Sequence, residues 1–359
     1  MNVLHISASH EEKNQHAFSF HFKQTCKQMG ISIISISPYN GELVGIIEDE
    51  LKEPFIDYYI GKKIFPLSKL LEKYEYFDTD FIFIENPKWS FDNDTEVDVV
   101  YYHRDLVSKL YVRNPDYLPL RFWTSGIAKD GRPAGGLPEI IEIWHPEIWW
   151  DKSIKKFPFY NAVDPDEFKK FENISRNQKG FAYYGSYLPV SEMMKYNSTH
   201  YRVYKHHYDI IKYIEKHNLA SEFREVNESF EEYKYHLRRF EGTVIIPAWD
   251  SWETRRLYEA SINRCVPILY IQNHIARDIF EKQGYIHGET CITFENCQEL
   301  ADLDLNDYNL ESIRKKGQRL VRKRHTYKSR ILQLCEEIDI FKKMEEKGKT
   351  EEMEDRIIL

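Results

Sequence analysis

Residues 247–271 read PAWDSWETRRLYEASINRCVPILYI. The stretch scans as the end of one strand, a loop, a short helix over 252–263, a turn, and a second, wholly apolar strand over 266–271. A buried parallel sheet collects ligands outside the carboxyl ends of its strands, where loops meet helix N-termini. Near such a place the stretch carries Arg255, Arg256 and Glu259. A cation there can hold a phosphate, and a carboxylate at i+3 lies on the same helix face and can hold two sugar hydroxyls. That pair of groups suits a diphosphate joined to a ribose, so the stretch points to a nucleotide-sugar site. The plainer alternative is an i,i+3 salt bridge on a solvated helix.

Outward from this stretch the same alternation continues. Before it come strand 180–184, helices 201–217 and 230–240, and strand 243–246. After it come helix 275–283 capped by Gly284, a short strand 291–294, and one long charged helix over 308–346. The first half has its own series: strand 2–7, helix 15–29 ending at Gly30, strand 31–37 stopped by Pro38, and apolar runs at 81–85, 97–103 and 139–144. Strands alternating with helices predict an α/β fold with parallel, doubly wound sheets. The 359 residues leave room for two ordinary domains. The polar, proline-bearing stretch 157–179 is expected to link them. Residues 1–165 then form an N-terminal acceptor domain, 175–330 a C-terminal nucleotide-sugar domain, and 331–359 a helix that packs back on the first. No internal repeat is detectable.

Hydrophobic residues make up 42% of the chain, enough for real cores. No apolar run approaches a membrane span and no leader pattern opens the chain, so a cytoplasmic protein with no membrane partner is expected. The five cysteines are scattered with no CxxC, which fits a reducing compartment and no zinc site. The net charge of -8 argues against coating nucleic acid through a broad basic face and leaves room for a local basic groove. The 25 tyrosines suit stacking on sugars or bases, and equally a tyrosine-rich core.

Other motifs carry chemistry at lower specificity. Gly185-Ser186 follows a strand, where backbone N–H groups can approach a phosphate. The strand 97–103 runs into His103-Arg104-Asp105, and a group that takes a proton from an acceptor hydroxyl is either Asp105 or His103. An Asp that caps the next turn is the plainer reading. The Gly/Pro-rich stretch 121–138, with Arg121 and Arg132, reads as a loop. The tract RKKGQRLVRKRHTYKSR over 314–330, with Arg322 and Arg324, is either a phosphate-contacting face or an ordinary solvated helix face. Four Asp-x-Asp triplets, starting at Asp78, Asp92, Asp164 and Asp302, read as surface features rather than metal ligands.

The central stretch resembles the donor motif of GT-B glycosyltransferases. There an Arg-x-x-Glu at a helix N-terminus precedes a small or cysteine residue, a Val-Pro or similar pair, and an apolar strand. Arg256-Leu257-Tyr258-Glu259, Cys265 and Val266-Pro267 stand in those places. Exostosin-type enzymes are similar, and so are the DNA β-glucosyltransferases of T-even phages. The latter also have a Gly-Gly-Ser where this chain has Gly185-Ser186, and a catalytic Asp after a Tyr-Tyr pair where this chain has Tyr101-Tyr102 and Asp105. Their Met-Gly and Asn-Gly pairs fall like Met29-Gly30 and Asn40-Gly41. Their arginines after Gly-Gly-Ser, which meet the diphosphate, have no counterpart before Arg202, so the resemblance leaves Lys195 or Arg202 to substitute.

The resemblance implies two Rossmann-like domains facing a central cleft in a monomeric, cytoplasmic enzyme, in the host's cytoplasm if the chain is viral. It implies a nucleoside diphosphate sugar, a UDP-sugar, as co-substrate. Arg256 and Arg255, with Gly185 and Ser186, hold the diphosphate, and Glu259 holds the ribose. Protein cations take the metal's usual role, so no cofactor is required; a divalent metal is possible but not implied. Transfer of a hexosyl or pentosyl group is inverting if Asp105 is the base. The acceptor is hydroxymethylpyrimidine in double-stranded phage DNA, met through Arg121, Arg132, Arg322 and Arg324. A cell-surface glycan or small acceptor is the alternative. A catalytically inactive nucleotide-sugar or nucleic-acid binding protein is the alternative outside enzymes.

Overall fold

The computed structural model describes residues 1–7, 18–37, 64–85, 90–92, 95, 97–102, 108–112, 155–158, 162–185, 198–225, 229–247, 255–271 and 274–346. The chain divides into two compact units. One comprises Met1–Ser125, Ile141–Phe159 and Arg330–Leu359, the other Gly126–Ile140 and Tyr160–Ser329. Each has its own largely parallel sheet with helices, so the α/β class expected from the alternation holds.

In the first unit the chain runs β1 (Asn2–Ile6), α1 (Phe18–Gln28), β2 (Ser32–Ile36), β3 (Ile64–Pro66), α2 (Ser68–Lys73), β4 (Phe81–Glu85), β5 (Ser90–Asp92), β6 (Asp98–Tyr102), β7 (Ser108–Val112) and β8 (Lys155–Pro158). The main sheet has the order β2-β1-β4-β6-β7-β8, and β3 and β5 form a separate parallel pair. Val3 lies opposite both Ile33 and Phe81 in parallel register. Phe81 to Ile84 are buried without alternation, as expected of a parallel strand covered on both faces. α1 closes at Gly30, whose φ is 73°, with Ile31 N–H reaching the Cys26 carbonyl at 2.9 Å. One feature departs from the expected parallel sheet: β7 and β8 run antiparallel to their neighbours. Their sequences, SKLYV and KKFP, are short and lysine-bearing, and they lack the apolar run of a buried parallel strand.

The second unit opens with a 3-10 turn, Pro165–Phe171, whose N-cap Asp164 accepts the Asp166 N–H. It continues through β9 (Gln178–Gly185), α3 (Ser198–His217), β10 (Glu222–Glu225), α4 (Phe230–Arg239), β11 (Phe240–Ile245), α5 (Arg255–Ile262), β12 (Val266–Tyr270), α6 (His274–Lys282), β13 (Ile292–Phe294), α7 (Cys297–Ala301) and α8 (Leu310–Arg324). All five strands are parallel in the order β10-β9-β11-β12-β13. The period of two along β9 sorts the core into layers. Phe181 and Tyr183 pack with Ile210 and Ile214 of α3, while Ala182 and Tyr184 pack with Tyr233 of α4 and Leu257 of α5.

The single helix expected over 308–346 is two helices. α8 stops at Arg324, and α9 (Tyr327–Glu346) starts after a break at His325 and Thr326. His325 leaves helical geometry because its ring is drawn into the core. It stacks on Tyr258 at 4.6 Å, and its Nε2 lies 2.9 Å from the Gln283 carbonyl. Thr326 then accepts the Ser329 N–H and restarts the helix. Beyond Arg330, α9 belongs to the first unit, where Ile331 and Leu334 pack with Val3, Phe22, Phe81 and Phe83.

Candidate functional site

In the second sheet the chain steps outward from β9 to β10, then returns past β9 to β11. The winding therefore reverses between β9 and β11, neighbours in which Val244 lies opposite Tyr183. At such a switch the two following connections part and leave a crevice at the carboxyl edge. β9 ends there at Gly185 and β11 at Ile245. After β11 come Ile246 and Pro247, and the next described residue is Arg255, the first of α5.

α5 forms because Leu257, Tyr258, Ala260 and Ile262 supply a buried apolar set against β11, β12 and α8. It ends in a Schellman turn, with Cys265 N–H to the Ala260 carbonyl at 2.9 Å and Arg264 N–H to the Ser261 carbonyl at 3.0 Å. Its first turn contains no acidic residue. The amides of that turn lack intrahelical acceptors and carry the positive end of the helix dipole.

The two arginines of this turn have different surroundings. Arg255 Nε lies 2.8 Å from Glu259 Oε1, and its terminal nitrogen donates to Glu167 Oε2 at 3.0 Å. The Phe230 ring lies 5.4 Å beneath the guanidinium. Burial works against this cation, yet Tyr327, Glu259 and Glu167 outweigh it and hold its pKa above the ordinary guanidinium value. Arg256 is half-buried, and among the described residues no hydrogen bond or ion pair engages it. Its field reaches Tyr183 on β9 and Tyr233 on α4. Burial pushes the Tyr183 phenol up to about 12, with Arg256 drawing it the other way. Tyr233 is held well above the usual phenol range, by burial first and then by Glu259, to which its hydroxyl hydrogen-bonds. Both phenols therefore stay neutral at physiological pH.

Glu259 is 3% exposed, so the i,i+3 bridge on a solvated face does not describe it: its ion pair is with Arg255, at i+4. The support beneath α5 is polar and closely connected. Lys234 is buried with Glu231 at 3.0 Å and the Phe230 ring at 4.2 Å. Arg238 donates to the carbonyls of Glu172, Ile174 and Asn263 at 2.6, 3.3 and 3.1 Å. Cys265, which follows α5, has its thiol pushed up to about 11 by burial and serves packing.

Of the residues singled out in the sequence, Arg255, Arg256 and Glu259 share α5, and Gly185 ends the adjacent β9. Arg322 and Arg324 are exposed on α8, where Arg322 pairs with Glu172 at 2.8 Å. Arg202 lies in α3. His103, Asp105, Arg121, Arg132, Ser186 and Lys195 lie outside the described residues. Asp164 and Asp304 of the Asp-x-Asp triplets cap 3-10 turns, and Asp80 accepts the Asn2 N–H at 2.6 Å. Among the described residues no group of three or more His, Cys, Asp or Glu side chains could hold a metal ion. No helix among them is long and apolar enough to cross a membrane. Glu167, Phe230 and Tyr233 were not foreseen at the site. Glu167 lies 88 residues from Arg255, and no local pattern announces such a contact.

No protein-family model matches the chain, and no curated protein matches it. Solved structures similar to it include a glycosyltransferase from Rickettsia africae, at 13% identity over 96% of this chain and 98% of that one, with a TM-score of 0.47. Anabaena HepE, in a complex with UDP and glucose, is similar at 10% identity over 94% and 99%, with a TM-score of 0.45. The spinosyn rhamnosyltransferase SpnG, in a complex with thymidine diphosphate, is similar at 7% identity over 92% and 94%, with a TM-score of 0.33.

Proposed function

We propose that the chain is a GT-B-type glycosyltransferase whose second unit binds a nucleoside diphosphate sugar at the switch between β9 and β11. The observation that carries this is Arg256: a cation at the start of α5, beside the end of β9, with no ion pair among the described residues. In this reading the diphosphate lies against Arg256 and the first-turn amides of α5, and Glu259 receives the ribose hydroxyls. The bond from the sugar's anomeric carbon to the diphosphate oxygen breaks as the acceptor oxygen bonds to that carbon from the opposite face. Charge develops on the leaving oxygen, where Arg256 and the helix dipole are already oriented, so little reorganisation accompanies the step. The acceptor's proton passes to Asp105, with His103 the competing base. That assignment rests on the sequence.

A DNA acceptor is favoured by a second, independent observation. Arg319, Lys323, Arg324 and Lys328 follow one another on and just past α8, and among the described residues none has an ion pair. Such a set of exposed cations suits a phosphate backbone, and binding through it weakens steeply with salt as counterions are released.

The test is incubation with radiolabelled nucleotide sugars and hydroxymethylated DNA, unmodified DNA or no DNA. Transfer or donor hydrolysis supports the enzyme, and label appearing only on hydroxymethylated DNA supports that acceptor. Donor binding without any turnover turns the reading to a binding protein. Asp105→Asn is expected to remove turnover and keep donor affinity; if His103→Ala does so instead, His103 is the base.

A further inference from the structure

We infer that Arg255 is a positioning residue that presets Glu259 for a vicinal diol, and that the diphosphate is left to Arg256. The inference deepens the proposed function, since it takes Glu259 as the ribose-binding carboxylate. Its ground is a run of alternating charge that leads from the site into the second unit. Glu259 meets Arg255 at 2.8 Å, Arg255 meets Glu167 at 3.0 Å, Glu167 meets Lys234 at 4.0 Å, and Lys234 meets Glu231 at 3.0 Å. Lys170 pairs with Glu231 at the outer end. Glu259 and Glu167 each have a cation beside them in this run, so neither carboxylate beneath α5 is left uncompensated.

Arg255 sits one step behind Glu259, where this run meets the proposed ligand. Its planar fork is used from two edges, Nε toward Glu259 and a terminal nitrogen toward Glu167, while Phe230 lies below its plane. A lysine has one point charge and cannot engage both edges in fixed directions. The guanidinium is therefore committed inward, and its neighbour Arg256 is the arginine left for an anion. A carboxylate offers about four lone-pair positions. Arg255 holds one oxygen of Glu259 by an ion pair at 2.8 Å, which fixes the carboxylate and leaves acceptor positions for the adjacent 2′- and 3′-hydroxyls of a ribose. Because the glutamate is already held, its rotamer entropy is not lost on binding.

The readout is ribose discrimination, which a merely structural role would not move. Calorimetry compares the diphosphate that the wild type binds best, among UDP, GDP and ADP, with its 2′-deoxy form. The wild type is expected to prefer the ribo form by roughly 10-fold, the scale of one hydrogen bond to a charged group. In Arg255→Met that preference is expected to collapse toward one, with Arg255→Lys recovering part of it. Glu167→Gln leaves Arg255 in place and loosens its inward anchor, so it reports on the same ratio if Arg255→Met does not fold. Full wild-type discrimination in folded Arg255→Met, or in Glu167→Gln where the former does not fold, overturns the inference while leaving the proposed function standing. A wild type that binds these diphosphates without preferring ribose overturns the reading of Glu259 itself.

Discussion

Arg255 and Arg256 are identical in chemistry and adjacent in sequence, yet a step of roughly 100° around a helix gives them different surroundings. The sequence places both at a helix start beside a carboxylate, and on that basis both were expected to meet the diphosphate. What it cannot supply is Glu167, which draws Arg255 inward from a turn 88 residues away. The same limit applies to Tyr258. In the motif it is only a spacer between Arg256 and Glu259, whereas in the fold its hydroxyl donates to Gln283 Oε1 at 2.6 Å and its ring stacks on His325. Tyr258→Phe strands that buried amide oxygen, and the expected loss is about 1–3 kcal/mol of stability. Denaturant melts of the variant, read beside nucleotide affinity, check this. A lower midpoint with unchanged affinity is the expected pair of results, and an unchanged midpoint would show that the hydrogen bond contributes nothing.

At the scale of elements, legibility followed burial. Strands β1, β4 and β12 announce themselves as apolar runs because both their faces are covered, and helix ends at Gly30 and Gly284 announce themselves because a left-handed residue is needed there. Gly284 has φ 94°, and a Cβ on it would stand 2.7 Å from Leu320 Cδ1. Gly284→Ala is therefore expected to cost about 1–3 kcal/mol, measurable as a lower melting temperature. A variant as stable as wild type would mean that α6 and α8 do not pack as described. Edge strand β10, with the sequence EFRE, was not foreseen because an edge carries charge rather than an apolar run. The break between α8 and α9 was missed because His325 is polar in sequence but buried in the fold.

Helix α4 also carries a pH signature. Partial burial opposes the charged form of Glu231, but hydrogen bonds from Lys170 and Lys234 outweigh it and lower its pKa. A lowered carboxylate stabilises the fold above its unfolded pKa, about 4.3 for glutamate, and that stabilisation is lost as pH falls through the lower folded value. Glu231→Gln should thus narrow the gap between melting temperatures at about pH 7 and about pH 3. An identical gap in both proteins would remove Glu231 from the account.

At the scale of the molecule, the α/β class was legible from the alternation of strand and helix patterns. The order of strands within each sheet was not, because pairing is decided by contacts between segments distant in the chain. That order matters most for function, since β10-β9-β11 puts the reversal of winding beside the start of α5. The central claim is that this edge holds a nucleoside diphosphate through Arg256. Isothermal titration of wild type and Arg256→Ala with the nucleoside diphosphate that wild type binds best tests it most directly. The account predicts saturable binding by wild type and a loss of roughly 10- to 100-fold in the variant, the range for one charge-assisted hydrogen bond. Equal affinity in the two proteins, or no binding of any nucleoside diphosphate by wild type, would contradict it.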